Sequence, residues 1–264
     1  RLGLFAGVRP VTVKAGQETP LAMPEGKEID FVLIRESTEG LFFTQGSGEV
    51  TEDEARETLL ITRDVSEKLF RFAFQLAKGR KDAGRGPGRV TCVDKANVFR
   101  AFAFFRSMFD AEAAQHPGLS ADHAYVDATA LWMVQKPWEF DVLVTENMFG
   151  DILSDLGAGL MGGLGLAPSA DIGLEHAVFQ PCHGSAPDIA GQGLANPFAM
   201  ILSAAMMLEW LGLTHENEDI AADGARLREA VEGVVASRNC LTRDLGGTAG
   251  TDAAASAVME ALTA

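Results

Sequence analysis

The sequence predicts an α/β fold with a largely parallel sheet. Two observations carry this. Short apolar runs rich in β-branched residues recur along the first half of the chain. Longer stretches with helical patterning separate them, and strands alternating with helices favour a parallel sheet.

Four strands are predicted, at residues 29–34 (IDFVLI), 89–93 (RVTCV), 124–126 and 140–144 (FDVLV). Helices are expected at 52–77, 98–114 and 128–134 between them. Residues 78–88 (KGRKDAGRGPG), rich in glycine and basic residues, read as a solvated loop with no function. A further helix is expected to start near Asp151 and to run towards Gly165, where small residues lead to Pro168 at a boundary or hinge. The apolar segment 195–211 is of marginal length for a membrane span and reads as a core helix. Amphipathic helices are expected at 220–237 and 251–262. The helix after Lys95 carries Phe99, Phe102, Phe104, Phe105, Met108 and Phe109 on more than one face, so it needs burial on several sides. A subunit interface would supply that burial, as would a central place in the core of a monomer.

The 264 residues are 47% hydrophobic, enough for a sizeable core. A net charge of -15 argues against general affinity for nucleic acid or an anionic membrane. An anionic ligand would then need a local cluster of arginine, lysine or metal. Cys92, Cys182 and Cys240 are odd in number, widely spaced and form no CxxC motif, so no zinc site or disulfide framework is indicated. A reducing, cytoplasmic setting is the default. No signal peptide is visible. The chain starts at Arg1 without methionine, and we expect further N-terminal residues to belong to the protein.

The strongest chemical signal is VTENMFGDILSD, which sets Asp151 and Asp155 four residues apart. On a helix the two carboxylates face the same way. A hard divalent cation, Mg²⁺ or Mn²⁺, suits such a pair. An acid-rich helix N-terminus complementing the helix dipole has the same appearance. Arg35 follows a predicted strand directly, where α/β proteins place ligand groups, and its planar fork suits carboxylates. Arg9-Pro10 lies upstream. Lys95, in VDKANV, sits at a strand-to-helix junction where partial desolvation makes a lysine a usable base. Asp127 ends another strand, a position that equally suits a helix N-cap. The run His183, Gly184, Ser185, Ala186, Pro187, Asp188, followed by Asn196, allows close backbone approach to a ligand, or forms an ordinary turn. Asp188 could accept ribose hydroxyls and would repel a 2′-phosphate, favouring NAD over NADP.

Taken together, IRESTEG, VDKANV, YVDATA, VTENMFGDILSD, HGSAPDIAGQGLANP and DLGGTAGTDA resemble the β-decarboxylating dehydrogenases, the isocitrate/isopropylmalate dehydrogenase family. The resemblance covers the whole chain in order. It implies a two-lobed fold with a cleft between the lobes, the N-terminal part of the first lobe being absent here. It places a middle domain at 5–160, with dimerisation arm and interface helices, and the C-terminal part of the cofactor-binding domain at 161–264. The residues near Phe43 to Asp53 resemble the arm.

The resemblance also implies an activity: NAD- and metal-dependent oxidative decarboxylation of a malate-like 2-hydroxy diacid. Isopropylmalate is the first expectation, with tartrate, D-malate, homoisocitrate or isocitrate as alternatives. It assigns Asp127, Asp151 and Asp155 to Mg²⁺ or Mn²⁺, and Lys95 and Asp127 to catalysis. Arg9 and Arg35 are assigned to the substrate carboxylates. His183 to Asp188, with Asn196, are assigned to the adenosine part of NAD. A homodimer with a shared site is implied, Lys95 and Asp127 acting in trans. The chain departs from the family pattern in Phe42, where a catalytic tyrosine is expected, and in Gln180-Pro181-Cys182-His183, where Glu-Pro-Val-His is expected. The loss of the phenol opens a second reading, a non-catalytic regulatory or ligand-binding subunit.

Overall fold

The computed structural model describes residues 2–263. It contains nine strands and seven α-helices among those residues. They fall into two compact units, each discontinuous in sequence: one holds the chain up to Arg9, Asp30–Leu156 and Asp171–Ala177, the other Pro10–Ile29, Gly157–Ala170 and the chain from Val178 onward. The sequence boundaries at 5–160 and 161–264 follow the chain in one pass. The units do not, because two long strands, β1 (Leu4–Val13) and β8 (Pro168–Gly173), contribute residues to both.

In the first unit the strand order is β6 (Ser120–Tyr125), β5 (Arg89–Asp94), β7 (Val142–Thr145), β2 (Ile29–Glu36), β1, β8. The β6–β5, β5–β7 and β7–β2 pairs are parallel, as the alternation of strands and helices predicts. Leu33, Ile34, Val90, Cys92, Val142, Leu143 and Val144 are fully buried. α1 (Arg63–Asp82) and α2 (Arg100–Ala113) pack together through phenylalanines. Phe70 meets Phe105 at 4.6 Å and Phe109 at 5.4 Å between ring centroids. α2 therefore buries Phe102, Phe105, Met108 and Phe109 in the core, while Phe99 (54% exposed) and Phe104 (38%) remain at the surface.

Two expected boundaries move. The predicted helix 52–77 begins only at Arg63, because Glu39 takes Thr62 out of the preceding chain: its carboxylate accepts from the Thr62 backbone N–H at 2.7 Å and hydroxyl at 2.5 Å. Thr62 then caps the helix by accepting from Val65 N–H. Part of the residues before it form a small antiparallel ribbon, β3 (Glu49–Val50) with β4 (Ala55–Arg56). At its other end α1 continues to Asp82, into the segment read as a solvated loop. Arg80 is buried there, donating to Asp141 at 2.8 Å and Asp30 at 3.0 Å. Asp141 also accepts from the Gly88 and Arg89 backbone N–H groups at 2.9 Å. Removing one partner of such a buried pair typically costs about 3–5 kcal/mol. The segment is a structural anchor.

α3 (Val126–Gln135) follows β6, and α4 (Asn147–Leu160) follows β7. In the second unit the order is β1, β8, β9 (Ala177–Pro181), covered by α5 (Phe198–Thr214), α6 (Glu218–Ser237) and α7 (Thr251–Thr263). β1, β8 and β9 have no counterpart among the predicted strands. Among the described residues no helix is long and apolar enough to cross a membrane.

Candidate active site

Arg35 leaves the end of β2 next to the start of α4. Its Nε donates to Asn147 Oδ1 at 2.9 Å and its Nη1 to Asp151. The guanidinium also lies over the Phe42 ring, 5.5 Å from its centroid. Gly150 makes this approach possible: a Cβ there would come within 2.6–3.2 Å of Arg35 Cγ, Cβ and Cα.

α4 does not begin at Asp151, as the sequence suggested, but one turn earlier. Its first N–H groups are met by Glu146, which accepts from Met148 at 3.1 Å and Phe149 at 2.8 Å. With no acid in the first turn, the helix-dipole reading of Asp151 loses its basis. Asp151 and Asp155 both stand on the exposed side of α4, and Asp155 forms no hydrogen bond or ion pair among the described residues. Burial lifts the Glu146 carboxyl above its ordinary value despite the two N–H donors, and lifts Glu36 similarly.

Arg9 and Arg35 line one cavity of about 630 Å³ within the first unit, with Ser37, Thr38 and Asp171. Arg9 Nη2 and Ser37 Oγ each donate to Asp171 Oδ1, at 3.4 Å. They meet over Gly7, where a Cβ would lie 3.0 Å from Ser37 Oγ and 3.1 Å from Asp171 Oδ1. Asp171 and Ser37 were not singled out from sequence. Asp171 sits 162 positions from Arg9, in a strand with no recognised motif, and only the pairing of β1 with β8 brings it here.

Lys95 and Asp127 form a second cluster in the same unit. Lys95 Nζ donates to Asp127 Oδ1 at 2.5 Å, and this bond holds the Asp127 carboxyl below its ordinary value. Asp127 is 68% exposed at its side chain. Tyr125 lies beside both Lys95 (5.8 Å) and Arg106 (5.4 Å). Arg106 is anchored by fully buried Asp94 through two bonds of 2.7 Å. Among the described residues neither Lys95 nor Asp127 bonds to Arg35, Asp151 or Asp155.

The carboxylates Asp127, Asp151 and Asp155 offer hard oxygen donors of the kind Mg²⁺ and Mn²⁺ take. Yet no three His, Cys, Asp or Glu side chains among the described residues gather into a metal-binding group. The donor chemistry fits a hard divalent cation.

In the second unit His183, Gly184, Ser185, Ala186 and Asn196 line a cavity of about 790 Å³ with Arg243 and Asp244. Ala186 adopts a left-handed conformation, φ 42°, which turns the loop. Asn196 Nδ2 donates to Asp244 Oδ2 at 2.9 Å and its Oδ1 accepts from Phe198 N–H at 2.9 Å, fixing the entry to α5. Pro187 and Asp188 are exposed on a single 3₁₀ turn, and the Asp188 carbonyl accepts from Gln192 at 2.8 Å. The small residues leave backbone accessible to a nucleotide-sized ligand.

Residues 1–262 match the family model described as isocitrate/isopropylmalate dehydrogenase. The chain is 46% identical over 252 residues to the 3-isopropylmalate/3-methylmalate dehydrogenase of Methanocaldococcus jannaschii, covering 95% of this chain and 71% of that protein. It is 42% identical over 265 residues to a 3-isopropylmalate dehydrogenase of Bacillus cereus, covering 98% of this chain and 70% of the relative. The crystal structure of isocitrate dehydrogenase from Methylococcus capsulatus superposes with a TM-score of 0.83 at 39% identity, over 98% of this chain and 74% of that one. The chain therefore belongs to the isocitrate/isopropylmalate dehydrogenase family, a family of β-decarboxylating dehydrogenases that act on a CH–OH group.

Proposed function

We propose that this protein carries out NAD-dependent, Mg²⁺- or Mn²⁺-dependent oxidative decarboxylation of a malate-like 2-hydroxy diacid, with 3-isopropylmalate as substrate. The observation that carries this reading is the cavity bearing both Arg9 and Arg35, two guanidinium groups for two carboxylates. The names of relatives at 42–46% identity favour isopropylmalate over tartrate, D-malate, homoisocitrate or isocitrate.

Bound in this site, NAD would supply the hydride acceptor for C2, and Mg²⁺ or Mn²⁺ would supply a Lewis acid for the C2 oxygen during loss of CO₂ from C3. Arg9 and Arg35 hold the carboxylates and orient the diacid. Lys95, hydrogen-bonded to Asp127, is the group we assign to the C2 hydroxyl proton, which it accepts only as the amine, after giving up the proton it donates to Asp127. Asp151 and Asp155 supply metal donors from one chain and Asp127 the third from a second copy. The site is thus shared in a homodimer, and the exposed Phe99 and Phe104 suit burial against that copy. The loop from His183 to Asp188, with Asn196, holds the adenosine portion of NAD. The cytoplasm is the proposed location, in keeping with three free cysteines.

Phe42 favours a second reading. Its ring stacks under Arg35 where a phenol could return a proton to the product, and phenylalanine has none to give. A regulatory or ligand-binding chain of the same family would tolerate that loss. The deciding experiment is NADH formation by the full-length protein with each of the five hydroxy acids, with and without EDTA. Turnover of 3-isopropylmalate that EDTA abolishes supports the first reading. NAD binding without turnover, unchanged by Phe42→Tyr, moves the weight to the second.

A further inference from the structure

Lys95 stands at the end of a run of contacts that begins at a fully buried carboxylate. Asp94 closes β5 and is inaccessible to solvent. Its Oδ2 and Oδ1 accept from Arg106 Nε and Nη2, each at 2.7 Å, and this bidentate pair fixes the plane of the guanidinium. The guanidinium lies 5.4 Å from the centroid of the Tyr125 ring. Tyr125 is the β6 residue in register with Asp94. Lys95 Nζ lies 5.8 Å from the centroid of the same ring and donates to Asp127, two residues beyond Tyr125. Asp94 Oδ1 also accepts from the Ala96 N–H at 2.8 Å, so the backbone that follows Lys95 is tied to the same carboxylate.

We propose that Arg106, clamped by Asp94, is a positioning residue that holds the Lys95–Asp127 pair in one orientation through the Tyr125 ring. This rests on the dehydrogenase reading above and says how that site keeps its base in place. The lysine stem is long and flexible, and a bond to the exposed Asp127 carboxylate leaves it many conformations. An aromatic ring beside the ammonium narrows them. Tyr125 is itself 39% exposed, so the ring serves only if something braces it, and Arg106 is that brace. Arg106 also brings a second cation to the ring that Lys95 uses. The two would repel each other, and the Asp94 carboxylate offsets the charge of Arg106 so that both stay.

The test pairs NMR with kinetics on the full-length protein. Lysines are ¹³C-methylated by reductive methylation, and Lys95→Arg identifies the Lys95 signal, which the Tyr125 ring current should displace from the other lysines. Arg106→Met removes the brace. Because that variant leaves Asp94 buried and unpaired, Asp94→Asn/Arg106→Met is the second variant, with neither charge present and an acceptor kept for the Ala96 N–H. Either folded variant should lose the displacement of the Lys95 signal, as should Tyr125→Leu, whereas Tyr125→Phe should keep it. On unmethylated protein with 3-isopropylmalate and Mn²⁺, kcat should fall about 10–100-fold, the cost of a misplaced reacting group. KM should stay within about twofold of wild type, because Arg9 and Arg35 are untouched. A Lys95 signal that is not displaced in wild type, or that keeps its place in the folded Arg106 variants, overturns the proposal. So does an unchanged kcat once the displacement is lost. Loss of the displacement in the variants of a protein whose wild type forms no NADH leaves the clamp standing and removes the dehydrogenase reading instead.

Discussion

Arg35 and Asp151 are bonded to each other, the guanidinium at the end of β2 donating to the carboxylate on α4. Two groups assigned different ligands thus neutralise one another in the free chain. Arg35 keeps a second hold on Asn147 at 2.9 Å, so it stays in place when Asp151 turns to another partner. Arg35→Ala should lower kcat/KM about 10–100-fold, the range expected for losing charged hydrogen bonds to a substrate carboxylate. Arg35→Lys should recover little of this, because an ammonium cannot reproduce the planar fork. Steady-state kinetics on variants with unchanged Tm decide it. A KM and kcat equal to wild type in Arg35→Ala would remove Arg35 from the site.

Gly150 is where α4 passes over Arg35. An added Cβ meets Arg35 Cβ at 2.7 Å and its Cα at 3.2 Å, and that backbone cannot move freely. Gly150→Ala should destabilise by about 1–3 kcal/mol, as overpacked sites do, against the small gain alanine normally brings inside a helix. Urea denaturation measures the balance. A variant as stable as wild type would mean that α4 shifts at no cost.

Glu36 and Glu146 give a pH signature. Burial raises both above their ordinary value of 4.5, and each carboxylate feels an acidic neighbour, Glu39 for Glu36 and Glu36 for Glu146. Between 4.5 and the raised value the folded protein holds protons that the unfolded chain has released. Their contribution to stability is therefore complete below 4.5 and is lost as pH rises through the folded-state value. Glu146→Gln removes this dependence. It also weakens the α4 cap, by an amount that does not vary with pH. The stability of Glu146→Gln relative to wild type should rise as pH increases from 4 to 7. A flat or falling difference would contradict the account.

Mixing Lys95→Ala with Asp151→Ala tests whether the site is shared. Each variant alone should be nearly inactive. If Lys95 and Asp127 serve a neighbour's Asp151 and Asp155, mixed dimers carry one intact site, and about a quarter of wild-type activity should return on random exchange. No recovery, with subunit exchange verified by a tagged pair, argues for a site within one chain.

Much of the candidate site is legible in the sequence because its residues stand next to strand and helix ends that announce themselves locally. Arg35 follows IDFVLI, Lys95 follows RVTCV, and Asp151 and Asp155 are spaced by one helical turn. Helix boundaries were less legible where a distant side chain sets them. α1 starts at Arg63 because Glu39 binds Thr62, and it runs on to Asp82, where Asp141 holds Arg80 in place. Neither partner is within reach of a local pattern.

By itself the sequence determined the α/β class, the parallel run β6–β5–β7–β2 and the chemistry-bearing motifs, all of which are encoded over a few neighbouring residues. Only the tertiary structure decided that Glu146 caps α4 in place of Asp151, that Lys95 bonds Asp127, and that Asp171 stands beside Arg9 across 162 positions of chain. Hydrogen bonds and ion pairs depend on distance in space, and strand pairing brings together residues whose sequence separation carries no signal.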